Sequence, residues 1–360
     1  MGAALALKAC PKVGGDHCMR RSVRAGTRGR LTGPEETKLR IVGVRHECSV
    51  FSSRRECCLH LQRRIQVAHI DRTVCSGSDR RGTLPPAVMP IASFLESMML
   101  DHPRRQQRQH YVVTGAGTGI GRAIAMRLAA EGAQLTLIAR NQTRLETTAE
   151  AISSSGGLRP SVETADIRDQ AEVEAAFDRA HAQHGPLRGL IANSGIGGSN
   201  EPGPSDRFVD LVQTNLVGSY HCLRAAQTHL APGPEPRHLV VISSILARFG
   251  VPGYTGYCAS KSALLGLTRA LAMELATDLI QVNALCPGWV NTEMAREGIE
   301  GIATGMGVSY NEALAEAMKA VPMGRMSEPE HVAGLVAWLV STDAVGVTGQ
   351  TLDMNNGAWM

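Results

Sequence analysis

The chain has 360 residues and a formal net charge of +4, with 43% hydrophobic and 4% aromatic residues. This apolar content is enough for a globular core, yet no apolar run approaches the roughly 18 residues that a membrane-spanning helix needs. The opening stretch lacks the charged and apolar regions of a secretory signal, so we expect a cytoplasmic protein without a membrane span.

The charge is unevenly distributed along the chain. Residues 1–88 contain 17 Lys and Arg against 7 Asp and Glu, whereas the remainder contains 20 against 26. Segment 1–88 lacks sustained hydrophobic periodicity, which predicts a disordered extension. Three interpretations remain: a basic arm, an Arg-rich targeting segment, or sequence upstream of the true start, which we favour because Met89, Met98 and Met99 precede the first strand. The acidic remainder predicts no nucleic-acid surface.

Cysteine and histidine also concentrate in this basic segment, which holds six of the nine cysteines. The cluster from His46 to His60 contains Cys48, Cys57 and Cys58. Its spacing fits no standard zinc finger or ribbon, so we expect no metal site and interpret the cysteines as free thiols.

From residue 110 onward, short apolar runs alternate with segments of helical periodicity. Alternation of this kind predicts βαβ units, and hence a single α/β domain over about 105–360. Its fold would be a doubly wound (Rossmann) parallel sheet of about seven strands, with helices on both faces. The predicted strands are 110–114, 134–139, 161–165, 187–192, 237–243, 280–285 and 350–354. The predicted helices are 122–132, 142–157, 169–185, 208–230 and 260–276.

A Gly-rich turn, GAGTGIG at 115–121, joins the first strand to the first helix. Gly115 can form the tight turn, Gly119 lets the backbone approach a pyrophosphate, and Gly121 lets the helix pack on the sheet. The free N–H groups of the helix then face the phosphates. A plain tight turn is the alternative, but the strand before and the helix after favour nucleotide binding.

The end of the second strand indicates which nucleotide binds. An acidic residue here would accept hydrogen bonds from the ribose of NAD, but this chain has Arg140. A guanidinium can hold a 2′-phosphate with charge-assisted hydrogen bonds, so we expect NADP(H) in preference to NAD(H). The alternative is a solvated arginine on a loop.

The order of six short motifs resembles the short-chain dehydrogenase/reductase family over about residues 110–360. The resemblance is strongest to bacterial 3-oxoacyl-(acyl-carrier-protein) reductases and polyketide ketoreductases. The motifs are TGAGTGIG (114–121), ANSG (192–195), TN (214–215), ISS (242–244), YCASK (257–261) and PGWVNT (287–292).

The resemblance implies a catalytic Tyr-x-x-x-Lys pair, which Tyr257 and Lys261 match. Tyr254 is the rival tyrosine, but Cys258 stands where its lysine would be needed. Tyr257 would donate a proton to the reduced carbonyl oxygen, and the Lys261 ammonium would lower the pKa of the phenol.

Two further catalytic roles come from the same resemblance. Ser244 would stabilise the substrate oxygen, with Ser243 as the rival, since neighbouring strand residues point to opposite faces. Asn215 would hold a water relay to Lys261, which would also bind the nicotinamide ribose.

The resemblance extends to cofactor contacts and to a substrate pocket. Segment 294–320 lies where the family has a mobile lid, and apolar residues near it would form a pocket for an apolar ketone. The predicted pocket residues are Leu246, Phe249, Tyr254, Trp289 and Met294. The predicted cofactor contacts are Gly115, Thr118, Gly119, Ile120, Gly121, Arg140, Asp166, Ile167, Asn193, Gly195, Tyr257, Lys261, Pro287, Gly288, Val290 and Thr292.

These observations predict an NADPH-dependent reductase that converts a ketone, such as a 3-oxoacyl thioester, to a secondary alcohol. A catabolic NAD-dependent secondary alcohol dehydrogenase is one alternative, and a catalytically silent NADP-sensing scaffold is a second. By resemblance the domain would form a homotetramer through helices around 208–230 and 255–276. The departure of NNGAW (355–359) from the family's terminal Gly-Gly has no explanation in the sequence.

Overall fold

The structure, a computed structural model, describes residues 105–360, and the predictions made for segment 1–88 lie outside that range. Within it, seven strands form one parallel sheet in the order β3-β2-β1-β4-β5-β6-β7. The predicted doubly wound α/β fold is therefore confirmed. The strands are β1 (His110–Thr114), β2 (Gln134–Ala139), β3 (Ser161–Thr164), β4 (Gly189–Ala192), β5 (Arg237–Ile242), β6 (Ile280–Pro287) and β7 (Thr351–Met354).

Helices cover both faces of the sheet, because successive strand residues point to opposite sides and the central strands are apolar on both. Val113 belongs to one core cluster and its neighbour Val112 to the other. The α-helices are α1 (Gly119–Ala130), α2 (Gln142–Ser154), α3 (Gln170–His184), α4 (Phe208–Val212), α5 (Ser219–His229), α6 (Thr255–Leu275), α7 (Glu293–Met306), α8 (Tyr310–Lys319) and α9 (Pro329–Leu339).

Each face has its own set of helices. Helices α1 and α9 supply Leu128 and Val336 to the first core cluster. Helices α3, α5 and α6 supply Phe177, Leu223 and Leu264 to the second. A crossover between parallel strands must pass over one face, so this arrangement brings every strand's carboxyl end to the same edge of the sheet.

The helix predicted over 208–230 is present but not α-helical throughout. Helix α4 is followed by a π-helical turn, Gln213–Gly218, before α5 begins. Directly after that turn, the Ser219 hydroxyl donates a hydrogen bond to the Asn215 carbonyl at 2.7 Å. A π turn inside a helix widens the backbone locally and is common at functional sites, a feature that hydrophobic periodicity does not reveal.

The helix predicted over 260–276 begins earlier, at Thr255, so that Tyr257 and Lys261 both lie in its first two turns. Tyr254 precedes the helix with φ −116° and ψ 30°, and so does not continue its face. Among residues 105–360, no helix has the length and apolarity to cross a membrane. The same residues contain no group of three or more metal-ligating side chains.

Candidate active site

A cavity of about 580 Å³ lies at the carboxyl edge of the sheet. The Gly-rich turn, the ends of β2, β4 and β5, and the start of α7 all contribute to its wall. In an open parallel sheet this edge is where ligands bind. The predicted site residues in the wall are Gly115, Thr118, Gly119, Ile120, Arg140, Asp166, Ile167, Asn193, Gly195, Tyr257, Lys261, Thr292 and Met294.

The Gly-rich turn has the geometry of an anion cradle. Gly115 and Gly119 adopt φ of +65° and +51°, a region that side chains disfavour. A side chain at Gly121 would collide with the Gly115 carbonyl, so this glycine allows the helix to approach the turn. Helix α1 starts without a side-chain cap or an acidic residue in its first turn, which leaves N–H donors for a pyrophosphate.

Asn193, at the end of β4, fixes this turn from behind. Its side-chain amide donates to the Thr114 carbonyl at 3.0 Å, and its backbone N–H donates to the Thr114 hydroxyl at 3.0 Å. A side chain at Gly195 would lie 3.0 Å from the Asn215 amide oxygen and 3.4 Å from Nζ of Lys261. The motif at 192–195 thus connects the Gly-rich turn on one side of the cavity to Asn215 and Lys261 on the other.

Tyr257 and Lys261 lie in the cavity wall together with Ser243, whereas Ser244 lies beside Tyr257 but is not part of the wall. The Lys261 side chain is 5% exposed, and its Nζ donates to the Ile242 carbonyl at 3.0 Å. Nζ also lies 5.8 Å from the centroid of the Tyr257 ring. The Ser244 hydroxyl accepts from the Leu246 N–H at 3.2 Å and lies close enough to Tyr257 to lower the pKa of its phenol.

The two neighbouring serines have different partners. The Ser243 hydroxyl is buried and donates to the backbone carbonyl of Lys261 at 2.8 Å, which fixes helix α6 to β5. The Ser244 side chain instead lies beside the Tyr257 phenol. Ser243 therefore joins helix α6 to β5 and also lies in the cavity wall, and the assignment of Ser244 as the catalytic serine stays a prediction.

Burial governs the protonation of the tyrosine and the lysine. It raises the pKa of Tyr257 above its ordinary value, and the hydrogen bond with Ser244 opposes this rise. Burial also lowers the pKa of Lys261 from 10.5 to about 8. The expected lowering of the Tyr257 pKa by Lys261 is not seen in this structure, because desolvation dominates and itself disfavours the ammonium form of the lysine.

Asn215 lies in the π turn, fully buried behind Lys261. Its amide oxygen accepts from the Ile196 N–H at 2.8 Å, and its amide nitrogen donates to the Ile196 carbonyl at 3.0 Å and to Ser260 at 3.1 Å. The side chain therefore joins the loop after β4 to helix α6.

The end of β2 presents Arg140 to the cavity, where it forms no ion pair within residues 105–360. Asp166 lies in the same wall and binds Arg168 at 2.6 Å. This hydrogen-bonded pairing lowers the pKa of the Asp166 carboxyl. This part of the cavity thus has an exposed guanidinium and an ionised carboxylate, groups that could bind a phosphorylated ribose and a purine.

Several predicted residues are not part of the cavity wall. Trp289 packs with the cluster under α7 and α8, where Gly298 leaves room for its ring. The other predicted catalytic, pocket and cofactor residues outside the wall are Ser244, Asn215, Leu246, Phe249, Tyr254, Gly121, Pro287, Gly288 and Val290. Their assignments remain predictions.

Four charged residues that the sequence did not indicate lie in the wall. Arg144, in the first turn of α2, forms an ion pair with Glu293 at 3.0 Å. Arg207 and Glu297 complete the set. Arg144 lies only four residues after Arg140, in the first turn of the helix that follows it, and this closeness in sequence was the one available signal.

The C-terminal segment 355–359 has a structural explanation. The Asn355 amide oxygen accepts from the Gly357 N–H at 3.0 Å, and the Asn356 amide donates to the Arg325 carbonyl at 2.8 Å. Trp359 stacks on Phe249 with 5.7 Å between ring centroids. This segment therefore fastens the loop after α8 and the loop after Ser244 to the end of the sheet.

The fold and the site together define a doubly wound, nucleotide-binding domain with a Ser-Tyr-Lys arrangement beside its Gly-rich turn. A family model described as enoyl-(acyl carrier protein) reductase matches residues 115–358. The chain belongs to the short-chain dehydrogenase/reductase family, a family of NAD(P)-dependent oxidoreductases, and the resemblance found in the sequence is confirmed.

Individual relatives agree with this membership. A short-chain type dehydrogenase/reductase from Picea abies is 35% identical over 256 residues, which cover 68% of this chain and 90% of the relative. The 3-oxoacyl-(acyl-carrier-protein) reductase of Escherichia coli is 31% identical over 251 residues, covering 69% and 96%. A variant of actinorhodin polyketide ketoreductase, solved with NADPH, is 33% identical with a TM-score of 0.65, covering 70% and 97%.

Proposed function

We propose that the protein reduces an apolar ketone, such as a 3-oxoacyl thioester, to a secondary alcohol with NADPH. The position of Tyr257 and Lys261 in the wall of one cavity that also contains the Gly-rich turn, with Ser244 beside Tyr257, carries this proposal. When bound, NADPH would supply a hydride to the carbonyl carbon. The names of the Escherichia coli and actinorhodin relatives support a ketone as the acceptor.

The proposed catalytic roles follow from protonation and hydrogen bonding. Tyr257 is protonated at neutral pH, because burial raises the pKa of its phenol, and a protonated phenol can donate to the developing alkoxide. Ser244 would donate a second hydrogen bond to the same oxygen. Lys261 would hold the nicotinamide ribose, and Asn215 would keep the lysine and its relay in place.

The cofactor would be held by groups already placed around the cavity. The Gly-rich turn and the start of α1 would receive the pyrophosphate, and Asp166 would face the adenine. Arg140, without an ion pair in residues 105–360, would hold the 2′-phosphate, which favours NADP(H) over NAD(H).

Steady-state assays with both cofactors test the proposal. Oxidation of NADPH would be followed with 3-oxoacyl thioesters and with cyclic ketones, and repeated with NADH. We expect turnover with at least one apolar ketone and a higher kcat/KM for NADPH. Turnover only in the direction of alcohol oxidation with NAD would instead support the catabolic dehydrogenase. Binding of NADPH without turnover of any ketone would support the sensing scaffold.

We also propose that the protein assembles as a homotetramer. Large apolar side chains stand exposed on the helical layer formed by α4, α5 and α6, where Val209 is 73% and Met273 is 81% exposed. Exposed apolar side chains on neighbouring helices are typical of a face that a partner covers. Light scattering on the full chain should give four times the mass of one chain, and a monomer mass would contradict the proposal.

A further inference from the structure

A buried asparagine outside the cavity wall, Asn200, is connected to the helix that carries Tyr257. Asn200 is 7% exposed and lies midway along the loop that joins β4 to α4. Helix α6 starts at Thr255, and its own cap residue, Tyr254, offers no side-chain hydrogen bond. The first turn of this helix therefore needs acceptors from elsewhere in the chain.

Asn200 supplies that acceptor across 56 positions of sequence. Its amide oxygen accepts from the Gly256 N–H at 2.8 Å, the second position of the helix. A cap side chain that precedes a helix makes the same contact, with the N–H of the second or third residue. The backbone N–H of Asn200 also donates to the Gly253 carbonyl at 2.8 Å, which holds the approach to the helix.

The amide nitrogen of Asn200 makes two further contacts. It donates to the Asp206 carboxylate at 3.0 Å and to the Thr255 hydroxyl at 3.0 Å. The same Asp206 oxygen accepts from the Phe208 N–H at 2.9 Å, at the start of α4. Asn200 thereby joins the starts of two helices, α4 ahead of the π turn and α6 ahead of Tyr257.

We infer that Asn200 is a positioning residue for Tyr257, acting as a distant cap that fixes the first turn of α6 against the loop after β4. Tyr257 is the next residue after Gly256, so any displacement of the Gly256 backbone displaces the phenol. The start of the same loop contains Gly195, beside Asn215 and Lys261. The inference rests on the proposed function, since it assigns Asn200 a part in the turnover that Tyr257 performs.

The test compares Asn200→Ala with a matched substitution, Asn283→Ala. Asn283 is also a buried amide, 2% exposed, which donates to the Val347 carbonyl at 2.7 Å and accepts from the Gln350 N–H at 3.1 Å. It lies in β6 and outside the cavity wall. Both variants lose a buried amide and should lose comparable thermal stability.

The two variants should differ in turnover. We expect Asn200→Ala to lower kcat by about 10- to 100-fold, because small misplacements of a catalytic group have effects of this size. The NADPH dissociation constant should change less than about twofold, because Asn200 is not in the cavity wall. We expect Asn283→Ala to keep kcat near that of the wild type. A kcat for Asn200→Ala near the wild-type value, or an equal loss in both variants, would overturn the inference.

Exchanging the side chains of Asn200 and Asp206 tests whether Asn200 acts through its hydrogen bonds or only through packing. Asn200→Asp keeps an acceptor for the Gly256 N–H but sets a second carboxylate against Asp206, so kcat should fall. Adding Asp206→Asn returns an amide to the pair and retains an oxygen for the Phe208 N–H, so kcat should recover most of the loss. A double variant that is no faster than Asn200→Asp would contradict the assignment.

Hydrogen exchange gives a readout that needs no turnover. Amides of segment 252–262 should exchange faster in Asn200→Ala than in the wild type, with no such change in Asn283→Ala. If the wild type turns over no ketone, the proposed function fails, and this comparison still decides whether Asn200 holds the helix start. Unchanged exchange in segment 252–262 would overturn the inference.

Discussion

The carboxyl and amino edges of the sheet both contain buried titratable side chains, and those of the carboxyl edge line a large cavity. Tyr257 and Lys261 lie at the carboxyl edge in the cavity wall. At the amino edge, His110 begins β1 and His238 is the second residue of β5. Burial lowers the pKa of His110 to about 4 and that of His238 to about 3.

The two edges differ in whether their polar groups have partners inside the protein or face the cavity. His110 lies 3.0 Å from the Gly185 carbonyl and 3.0 Å from the Thr136 hydroxyl, so both ring nitrogens have partners inside the protein. At the other edge, the helix start at Gly119 and the Arg140 guanidinium face the cavity. A shifted pKa therefore marks a functional site only where the group also reaches a space that a ligand can enter.

We expect the largest effect on turnover from removal of the Tyr257 hydroxyl at the carboxyl edge. We expect Tyr257→Phe to lower kcat by about 10²- to 10⁴-fold, the usual contribution of a general acid. Because the ring stays in place, NADPH should bind with little change in its dissociation constant. Fluorescence titration and steady-state kinetics measure the two quantities.

Tyr254→Phe is the matched control for this substitution. Tyr254 has Cys258 instead of lysine four residues later and lies outside the cavity wall, so most activity should remain. Comparable losses in the two variants would show that the hydroxyl of Tyr257 has no special role.

The sequence predicted the residues at the carboxyl edge because they form short local motifs. The Gly-rich turn, Asn193 and the Tyr257–Lys261 pair all combine fixed spacing with a strand or helix boundary. The choice of Ser244 over Ser243 depends on the family resemblance, since a shift of one residue reverses the face of a strand and strand ends are not exact in a sequence. In the structure Ser243 binds the Lys261 carbonyl and Ser244 lies beside Tyr257, contacts that only the fold creates, and the choice of Ser244 stays a prediction.

The remaining features depend on contacts between distant segments. The π turn around Asn215 does not change the apolar pattern of its helix enough to be recognised. Trp289 is apolar and near the cofactor motif, yet it packs under α7 and α8 with residues such as Ile299. Side-chain proximity of this kind is set by tertiary packing, which the spacing of one segment does not encode.

Acidification should affect the amino edge by destabilising the fold. His110 has an ordinary pKa of 6.5 and a folded-state pKa of about 4, so the unfolded chain binds more protons between these values. The contribution of neutral His110 to the free energy of unfolding is therefore fully present above pH 6.5 and is lost as the pH falls towards 4. A lowering of this size corresponds to about 3 kcal/mol in the free energy of unfolding.

Urea unfolding at a series of pH values tests this expectation. His110→Gln should unfold more easily at neutral pH, but its stability should depend less on pH between 6.5 and 4. His331 is exposed at the start of α9, so His331→Gln should keep the wild-type dependence. A wild-type pH dependence that persists in His110→Gln would place the titrating group elsewhere.

Arg140, at the carboxyl edge, should determine the preference for NADPH over NADH. We expect Arg140→Asp to shift the ratio of kcat/KM for NADPH over NADH by about 10- to 100-fold towards NADH, the size of one lost charge-assisted hydrogen bond. Arg325→Asp makes the same charge reversal at an exposed residue outside the cavity wall and should leave the ratio unchanged. A wild type that already prefers NADH would contradict the assignment.

The smallest expected effect concerns the ion pair between Arg144 and Glu293 in the cavity wall. Both side chains are more than half exposed, at 51% and 58%, so their pairing contributes little to stability. Glu293→Gln removes an anion near the phosphate end of the cavity and leaves the Arg144 guanidinium available to the cofactor. We expect NADPH to bind up to about fivefold more tightly, with the melting temperature almost unchanged.

Glu146→Gln is the matched control for this change of charge. Glu146 pairs with Arg159 at 3.0 Å, is also solvent-exposed, and lies outside the cavity wall. It should leave NADPH affinity as it is, and the effect of Glu293→Gln should shrink as salt screens the charges. Equal changes in both variants would mean that net charge alone attracts the cofactor. A difference confined to Glu293→Gln would show that the carboxyl edge responds to individual charges through binding, whereas the amino edge responds through folding.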